Sequence, residues 1–391
     1  MPTLNNNILE VTIPGTREFA NKVAGLDDAV DLTLGQSGFD APQYIKDAMI
    51  EAINDNKLRY THNRGLIELR QAISDKLKRD FNVDYDAEHQ IVVTNGGSEA
   101  IDDIFRSIIN PGDEVIIPSP SYLGYEPILK LLGAKVVNID TRDTHLIPTP
   151  EAVKAAITDN TKAILFNYPT NPTGKTLTYN QIKGLVDVLK DEDIFIVTDE
   201  IYSENIYDGE HHSFIEFDSV RDRLFVINGL SKSHAITGAR VGYVASTPEL
   251  ITHVTSVHLY NSICVATPSQ YGALSAFTHD NKEIIAMNKA YKERRDYLYD
   301  KLTQMGLPVE KPQGAFYIFP DISAYNSDSY QFATDLLESE RLAVVPGSAF
   351  SKYGEGHIRL SFASAMEEIK EACVRLERFL NNYPKQQNKF I

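Results

Sequence analysis

Gly229-Leu230-Ser231-Lys232-Ser233-His234-Ala235-Ile236-Thr237-Gly238-Ala239-Arg240-Val241-Gly242 follows the apolar run 224–227 and sets one lysine among small side chains, with an arginine eight positions on. A lysine that forms a Schiff base must spend time as the neutral amine, so it needs a tight pocket and cationic neighbours. Small flanking residues let a bulky partner approach it. Taken alone, a lysine between two serines reads as a surface residue. Its company elsewhere in the chain changes that reading.

Asp199 closes the apolar run 194–198, and Tyr202 follows three residues later. A carboxylate leaving the C-terminal end of a parallel strand points into the crevice where α/β sheets bind ligands, and there it can keep a pyridine nitrogen protonated. An isolated Asp-Glu pair would read instead as a helix-capping turn. Upstream, Thr94-Asn95-Gly96-Gly97-Ser98-Glu99-Ala100-Ile101 joins a strand to a helix. Backbone amides of such a turn, backed by the helix dipole, suit a phosphate. The spacing is not that of a dinucleotide fingerprint. Thr173-Gly174-Lys175-Thr176 is no P-loop either, because Pro169 stands where that motif needs its first glycine.

Around these segments the chain alternates. Ile45, Ala48, Met49, Ala52 and Ile53 recur at helical spacing over 41–57, and Leu66, Leu69, Ile73 and Leu77 do so after Gly65. Strand-like runs follow at 91–94, 114–118, 163–166, 194–198 and 224–227, with helix-length segments between them, which predicts parallel strands with crossover helices. Thr149-Pro150 and Thr267-Pro268 read as helix starts, and Thr178 with Gln181 as a capping box. A charged helical pattern fills 282–305 and stops at Gly306. Strand-like 315–319, 342–345 and 357–362 then precede a last helix, with Ser364 and Glu367 as its capping box and Ile369, Ala372, Cys373, Leu376 and Leu380 on one face. These patterns predict a large α/β domain over 45–285. A smaller α+β domain is expected from 286–391 completed by 1–44, with a polar, frayed tail over 381–391.

The chain has 391 residues, a length that fits about two domains. With 38 basic and 54 acidic side chains its formal charge is −16. A field of that sign repels phosphate backbones and anionic membrane surfaces, so nucleic acid and membrane are excluded as partners. An anionic ligand needs a local site that works against the global field. Cys264 and Cys373 are the two cysteines; they read as small buried apolar side chains, with no disulfide framework and no metal site. The first fifteen residues lack a signal-peptide pattern and no run approaches membrane-span length, so the expected location is the cytosol.

Position by position, the lysine segment resembles the attachment pattern of class I/II aminotransferases, the fold-type I pyridoxal-phosphate enzymes. Tyr168-Pro169-Thr170-Asn171-Pro172-Thr173-Gly174 and Thr198-Asp199-Glu200-Ile201-Tyr202 look like two further motifs of that family, in its order, and the likeness runs over 32–362. The resemblance implies a mostly parallel sheet flanked by helices and pyridoxal 5′-phosphate as cofactor. Lys232 would form the Schiff base and then shuttle a proton at the substrate α-carbon. Asp199 would pair with the ring nitrogen, Tyr202 and Asn171 with the phenolic oxygen, and Tyr122 would stack on the ring. Gly97, Ser98, Ser231 and Arg240 would hold the phosphate. Arg359 and the amide of Gly35 would receive the substrate α-carboxylate, alongside Asn171. Tyr60 would reach the phosphate of a neighbouring subunit, which makes the working unit a homodimer.

Two departures stand out. Gly229 replaces a serine that many relatives carry for the phosphate, and Ser98 and Tyr122 differ from the lysine and tryptophan of aspartate-selective members. Both of the latter point to bulkier or less acidic amino donors. The chain resembles bacterial N-acetyl-diaminopimelate and aromatic amino acid aminotransferases in particular. The activity implied moves an amino group from an L-amino acid to a 2-oxo acid such as 2-oxoglutarate. A cystathionine β-lyase-like enzyme needs the same lysine, aspartate and arginine and is the alternative; a non-catalytic cofactor-binding regulator is a third reading, for which the chain shows no DNA-binding module.

Overall fold

The computed structural model describes residues 2–9, 11, 23, 26 and 28–385. Seven strands form the principal sheet: β1 Ile91–Thr94, β2 Glu114–Ser119, β3 Lys135–Asp140, β4 Thr161–Asn167, β5 Phe195–Asp199, β6 Leu224–Gly229 and β7 Gly242–Ala245. Their spatial order is β1-β7-β6-β5-β4-β2-β3. From β3 to β6 every pairing is parallel. β1, β4, β5, β6 and β7 are buried almost end to end, as strands covered on both faces must be, and this explains their continuous apolar runs. The parallel register sets Asn167 beside Asp199, so the carboxyl ends of β4 and β5 open side by side.

Two strands escaped the sequence pattern. β3 is an edge strand whose polar positions dilute the apolar signal, and β7 is short and begins at a glycine. β7 also runs antiparallel to both of its neighbours, so the sheet is mixed rather than wholly parallel.

The helix Gln43–Asn54 buries Ile45 and Ala52, but Ile53 is half exposed, so its apolar stripe is narrower than the expected face. Ile67–Phe81 buries Leu69, Ile73 and Leu77 as the spacing predicts. Thr149 and Thr178 cap their helices through their side chains, the latter in the expected box. Thr267 does not cap: Ala266 holds that position, and the Thr267 hydroxyl donates to the Arg59 carbonyl at 2.7 Å. Cys373 is buried, whereas Cys264 is partly exposed; both are free thiols.

A second core gathers the C-terminal third. Its long helix Lys282–Gln304 ends before Gly306, whose φ of +78° is the left-handed turn a glycine tolerates. Beside it lie an antiparallel trio, Val345–Pro346, Ile358–Ser361 and Tyr317–Ile318, and the helix Met366–Asn382. Ile369, Ala372, Cys373, Leu376 and Leu380 all bury there as expected. The cap of that helix lies one residue later than the sequence suggested. Glu368 accepts from the Ala365 amide at 3.2 Å, while Ser364 donates to the Asp31 carbonyl.

The N-terminal stretch joins this core. Val30–Asp31 pairs in parallel with Leu342–Ala343, and Val23 and Leu32 bury among the C-terminal side chains. Residues 381 and 382 of the expected frayed tail are helical, and 386–391 lie outside the described residues, as does most of the segment 12–27. Among the described residues no helix is long and apolar enough to cross a membrane.

Candidate active site

A cavity of about 430 Å³ opens at the carboxyl ends of β4, β5 and β6. Gly35, Gly97, Ser98, Tyr122, Asn171, Asp199, Tyr202, Ser231, Lys232, Arg240 and Arg359 all line it, although they come from eleven separate positions between residues 35 and 359. Tyr60 does not. It is 76% exposed.

Lys232 follows β6 and donates to the carbonyl of Gly35 at 2.5 Å. Burial, then the charges of Arg359 and Arg240, push its ammonium down to about 8 against the opposing pull of Asp199. An amine with that pKa is still mostly protonated near physiological pH, but its neutral, nucleophilic fraction is far larger than that of an ordinary lysine. Asp199 is buried at the end of β5, accepts from the Tyr125 hydroxyl at 2.7 Å and from the Ile201 amide at 3.2 Å, and has its carboxyl raised by burial. The Tyr202 hydroxyl meets that of Tyr317 at 2.8 Å.

One end of the cavity is built for an anion. Gly97 begins the helix Gly97–Ile108 behind Gly96, and no side chain caps the first turn, so its amides remain available. Arg240 adopts φ of +54°, which turns its guanidinium across that turn; it donates to the Thr237 carbonyl at 2.9 Å and the Asn95 carbonyl at 3.3 Å. A Cβ on Gly96 would lie 2.6 Å from Arg240 Nη2, which is why a glycine stands there. Gly229, the first departure from the family pattern, has a packing reason too. A Cβ at that position would lie 2.8 Å from the Val241 carbonyl oxygen and 2.9 Å from Gly242 Cα.

At the other end Arg359, on the strand Ile358–Ser361, is buried. It donates to Asn171 Oδ1 at 2.9 Å and to the Thr33 carbonyl at 2.7 Å, and it lies 4.3 Å over the Tyr317 ring. Its Nε has no partner, and no carboxylate pairs with it among the described residues. Gly35 presents its carbonyl rather than its amide to Lys232 in this arrangement.

Three residues that sequence reasoning did not single out belong to this site. Tyr125 binds Asp199, Asn167 donates to the Asp199 carbonyl at 2.9 Å and accepts from the Asn171 amide at 3.1 Å, and Tyr317 supports both Tyr202 and Arg359. Asn167 was within reach of the argument applied to Asp199, since both end neighbouring parallel strands. Nothing local marks Tyr317.

The sequence matches the family described as aminotransferase class I and II over residues 27–376. The chain belongs to the class I and II aminotransferases. Among its relatives, the probable N-acetyl-LL-diaminopimelate aminotransferase of Bacillus subtilis (strain 168) is 46% identical over 377 residues, covering 96% of this chain and 95% of that protein. The probable aspartate aminotransferase of Methanocaldococcus jannaschii is 41% identical, over 88% of this chain and 92% of its own length. Among solved structures, a single mutant of Thermus thermophilus aspartate aminotransferase aligns with a TM-score of 0.92 at 34% identity, over 97% of this chain and all of that one. The aromatic aminotransferase of Pyrococcus horikoshii OT3 aligns with a TM-score of 0.88 at 36% identity, over 93% of this chain and 98% of its own.

The aminotransferase is therefore a fold-type I enzyme dependent on pyridoxal 5′-phosphate, and the β-lyase and regulator readings are not favoured. The donor set fits that cofactor. A lysine held near neutrality suits its aldehyde, a buried carboxylate suits its ring nitrogen, and uncapped helix amides beside a guanidinium suit its phosphate.

Proposed function

We propose that this aminotransferase takes the amino group of an L-amino acid of the N-acetyl-LL-diaminopimelate type and passes it to 2-oxoglutarate, with Lys232 as the catalytic residue. The observation that carries the substrate class is Arg359, a buried guanidinium without a carboxylate of its own, sharing one cavity with Lys232 and Asp199. A buried charge of that kind calls for an anionic partner, and the α-carboxylate of an amino acid supplies one in bidentate form. The 46% identity to the Bacillus subtilis protein, together with Tyr122 in place of tryptophan, supports the larger donor.

Pyridoxal 5′-phosphate, when bound, supplies an aldehyde for the amine and a ring that accepts the electron pair of a broken bond. Asp199 keeps a proton on the ring nitrogen, and Tyr125 and the Ile201 amide fix its carboxylate for that purpose. Tyr202 and Asn171 would hold the phenolic oxygen, and Tyr122 would lie against the ring. Gly97, Ser98, Ser231 and Arg240 bind the phosphate. Arg359, with Asn171 and Gly35, holds the substrate carboxylate so that the α C–H bond faces Lys232. With the cofactor bound, Lys232 would be the base that takes the proton from the substrate α-carbon and the acid that delivers it to the cofactor's aldehyde carbon.

The working unit in this reading is a cytosolic homodimer. Tyr60, Leu58, Ile53 and Ile50 leave a largely exposed apolar surface on neighbouring turns of the chain, which a second copy would cover while bringing Tyr60 to its phosphate. The two free thiols agree with a reducing compartment. In this reading a domain over 45–285 and a second one from 1–44 and 286–391 both contribute to the cavity's lining.

A donor screen against 2-oxoglutarate tests the reading. N-acetyl-diaminopimelate should give the highest kcat/KM, ahead of phenylalanine and aspartate; release of pyruvate and ammonia, or a preference for aspartate, would overturn the assignment. Lys232→Ala should lose the visible absorption band of the bound cofactor and its turnover together. A colourless variant that still transaminates would remove Lys232 from its role.

A further inference from the structure

Behind the first turn of the helix Gly97–Ile108 lies a charged cluster that does not line the active-site cavity. His258, fully buried on the helix Pro248–Ser262, turns Nδ1 toward two carboxylates of the first helix, Glu99 Oε2 at 3.2 Å and Asp103 Oδ2 at 3.6 Å. Glu99 does not stop there. Its Oε2 accepts from the Asn95 backbone amide at 2.5 Å and from Asn95 Nδ2 at 2.9 Å, and its Oε1 accepts from the Ser262 hydroxyl at 2.6 Å. Asn95 in turn accepts Arg240 Nη2 on its carbonyl, and the guanidinium rests against Gly96.

We infer that His258 is a positioning residue for the cofactor phosphate: its imidazolium fixes Glu99, Glu99 fixes the Asn95–Gly96 turn, and that turn holds Arg240 and the helix amides in register. The inference rests on the phosphate role proposed above for Arg240, Gly97 and Ser98. A buried carboxylate pair without a cation would repel itself, and the cation here is protein-borne. Burial opposes the charged form of His258, yet Asp103 and Glu99 raise it to about 9; burial opposes the charged form of Glu99 as well, yet His258, the Asn95 amide and Ser262 bring it down to about 2. The cluster has two outward connections among the described residues: Asn261, which does not line the cavity, donates to Asp103 Oδ1 at 3.0 Å, and Glu99 reaches the phosphate turn through Asn95.

The test compares the full-length enzyme's dissociation constants for pyridoxal 5′-phosphate and for pyridoxal, which lacks the phosphate, read from the visible band. His258→Gln and Glu99→Gln should each weaken the phosphorylated ligand roughly tenfold while leaving pyridoxal within about twofold. Ser262→Ala, which keeps the ion pair and spares the fold if His258→Gln does not, should shift the same ratio by roughly two- to threefold. Equal weakening of both ligands would show a merely structural role and overturn the inference, as would no change in either. A divalent metal retained at one equivalent after dialysis would overturn it too, by replacing the imidazolium as the cation. Arg240→Ala is the control. If it abolishes the phosphate preference while the cluster variants do not, the inference alone fails; if it leaves the preference intact, the phosphate reading beneath it fails first.

Discussion

Two buried arginines flank the second core, and they are solved in opposite ways. Arg295, on the long helix Lys282–Gln304, pairs with Asp208 and with Asp296 at 2.7 Å and also donates to the Pro312 carbonyl at 2.8 Å. Arg359 finds only neutral acceptors and keeps Nε unpaired. Burying a charge is costly unless it is compensated within the protein or by something the protein binds. Arg295 is compensated by the fold, so it is structure. Arg359 has no carboxylate partner among the described residues, which supports the carboxylate-binding role proposed for it over a structural ion pair.

The sharpest way to break that contrast is to remove each arginine in turn. Arg359→Ala should lower kcat/KM for α-amino acids by roughly two to three orders of magnitude and leave simple amines little affected. Equal losses for both would mean that Arg359 does not receive a carboxylate. Arg295→Met should do the reverse, costing stability rather than turnover. Asp208 and Asp296 are partly exposed, so the loss should be roughly 2–3 kcal/mol, less than the roughly 3–5 of a fully buried pair. Thermal melting checks it, and an unchanged midpoint with impaired kcat/KM would reverse the two roles.

A smaller effect refines the comparison. Because the uncompensated charge of Arg359 helps to hold Lys232 near 8, the folded enzyme has a lysine pKa below its ordinary value. The neutral amine is the reactive form. Cofactor uptake by stripped enzyme should therefore accelerate about tenfold per pH unit up to about 8 and level off above it. In Arg359→Ala the midpoint should move upward, since one of the two neighbouring cations is gone. A midpoint that stays in place would assign the depression to burial and Arg240.

The contrast also explains what could be read from the chain. Lys232, Asp199 and the Gly97-Ser98 turn sit in segments whose meaning is local: a strand end, a run of small residues, a glycine-rich helix start. Arg359 meets Thr33 and Asn171 across separations of 326 and 188 residues, and nothing near it in sequence distinguishes it from Arg295. Its role came from resemblance alone. Tyr125 and Tyr317 escape the sequence for the same reason, because their importance is a contact rather than a pattern, whereas Asn167 ends a strand beside Asp199 and carried the same strand-end signal. The principal sheet was legible from its buried apolar runs, whereas the reversed direction of β7 was not, since strand direction is settled by connections and not by composition. The expected cap at Ser364 failed for a smaller reason: its hydroxyl donates to the Asp31 carbonyl instead.

The glycine at 229 has a historical side. Its Cα hydrogen faces the carbonyl of Val241 so closely that any side chain must push the backbone of residues 241 and 242 away. That backbone directly follows Arg240. A serine placed here by a single substitution would shift the backbone beside Arg240 before its hydroxyl could serve an anion. The position works as a ratchet, and laboratory evolution toward the commoner sequence should find its route through residues 241 and 242 before it reaches 229.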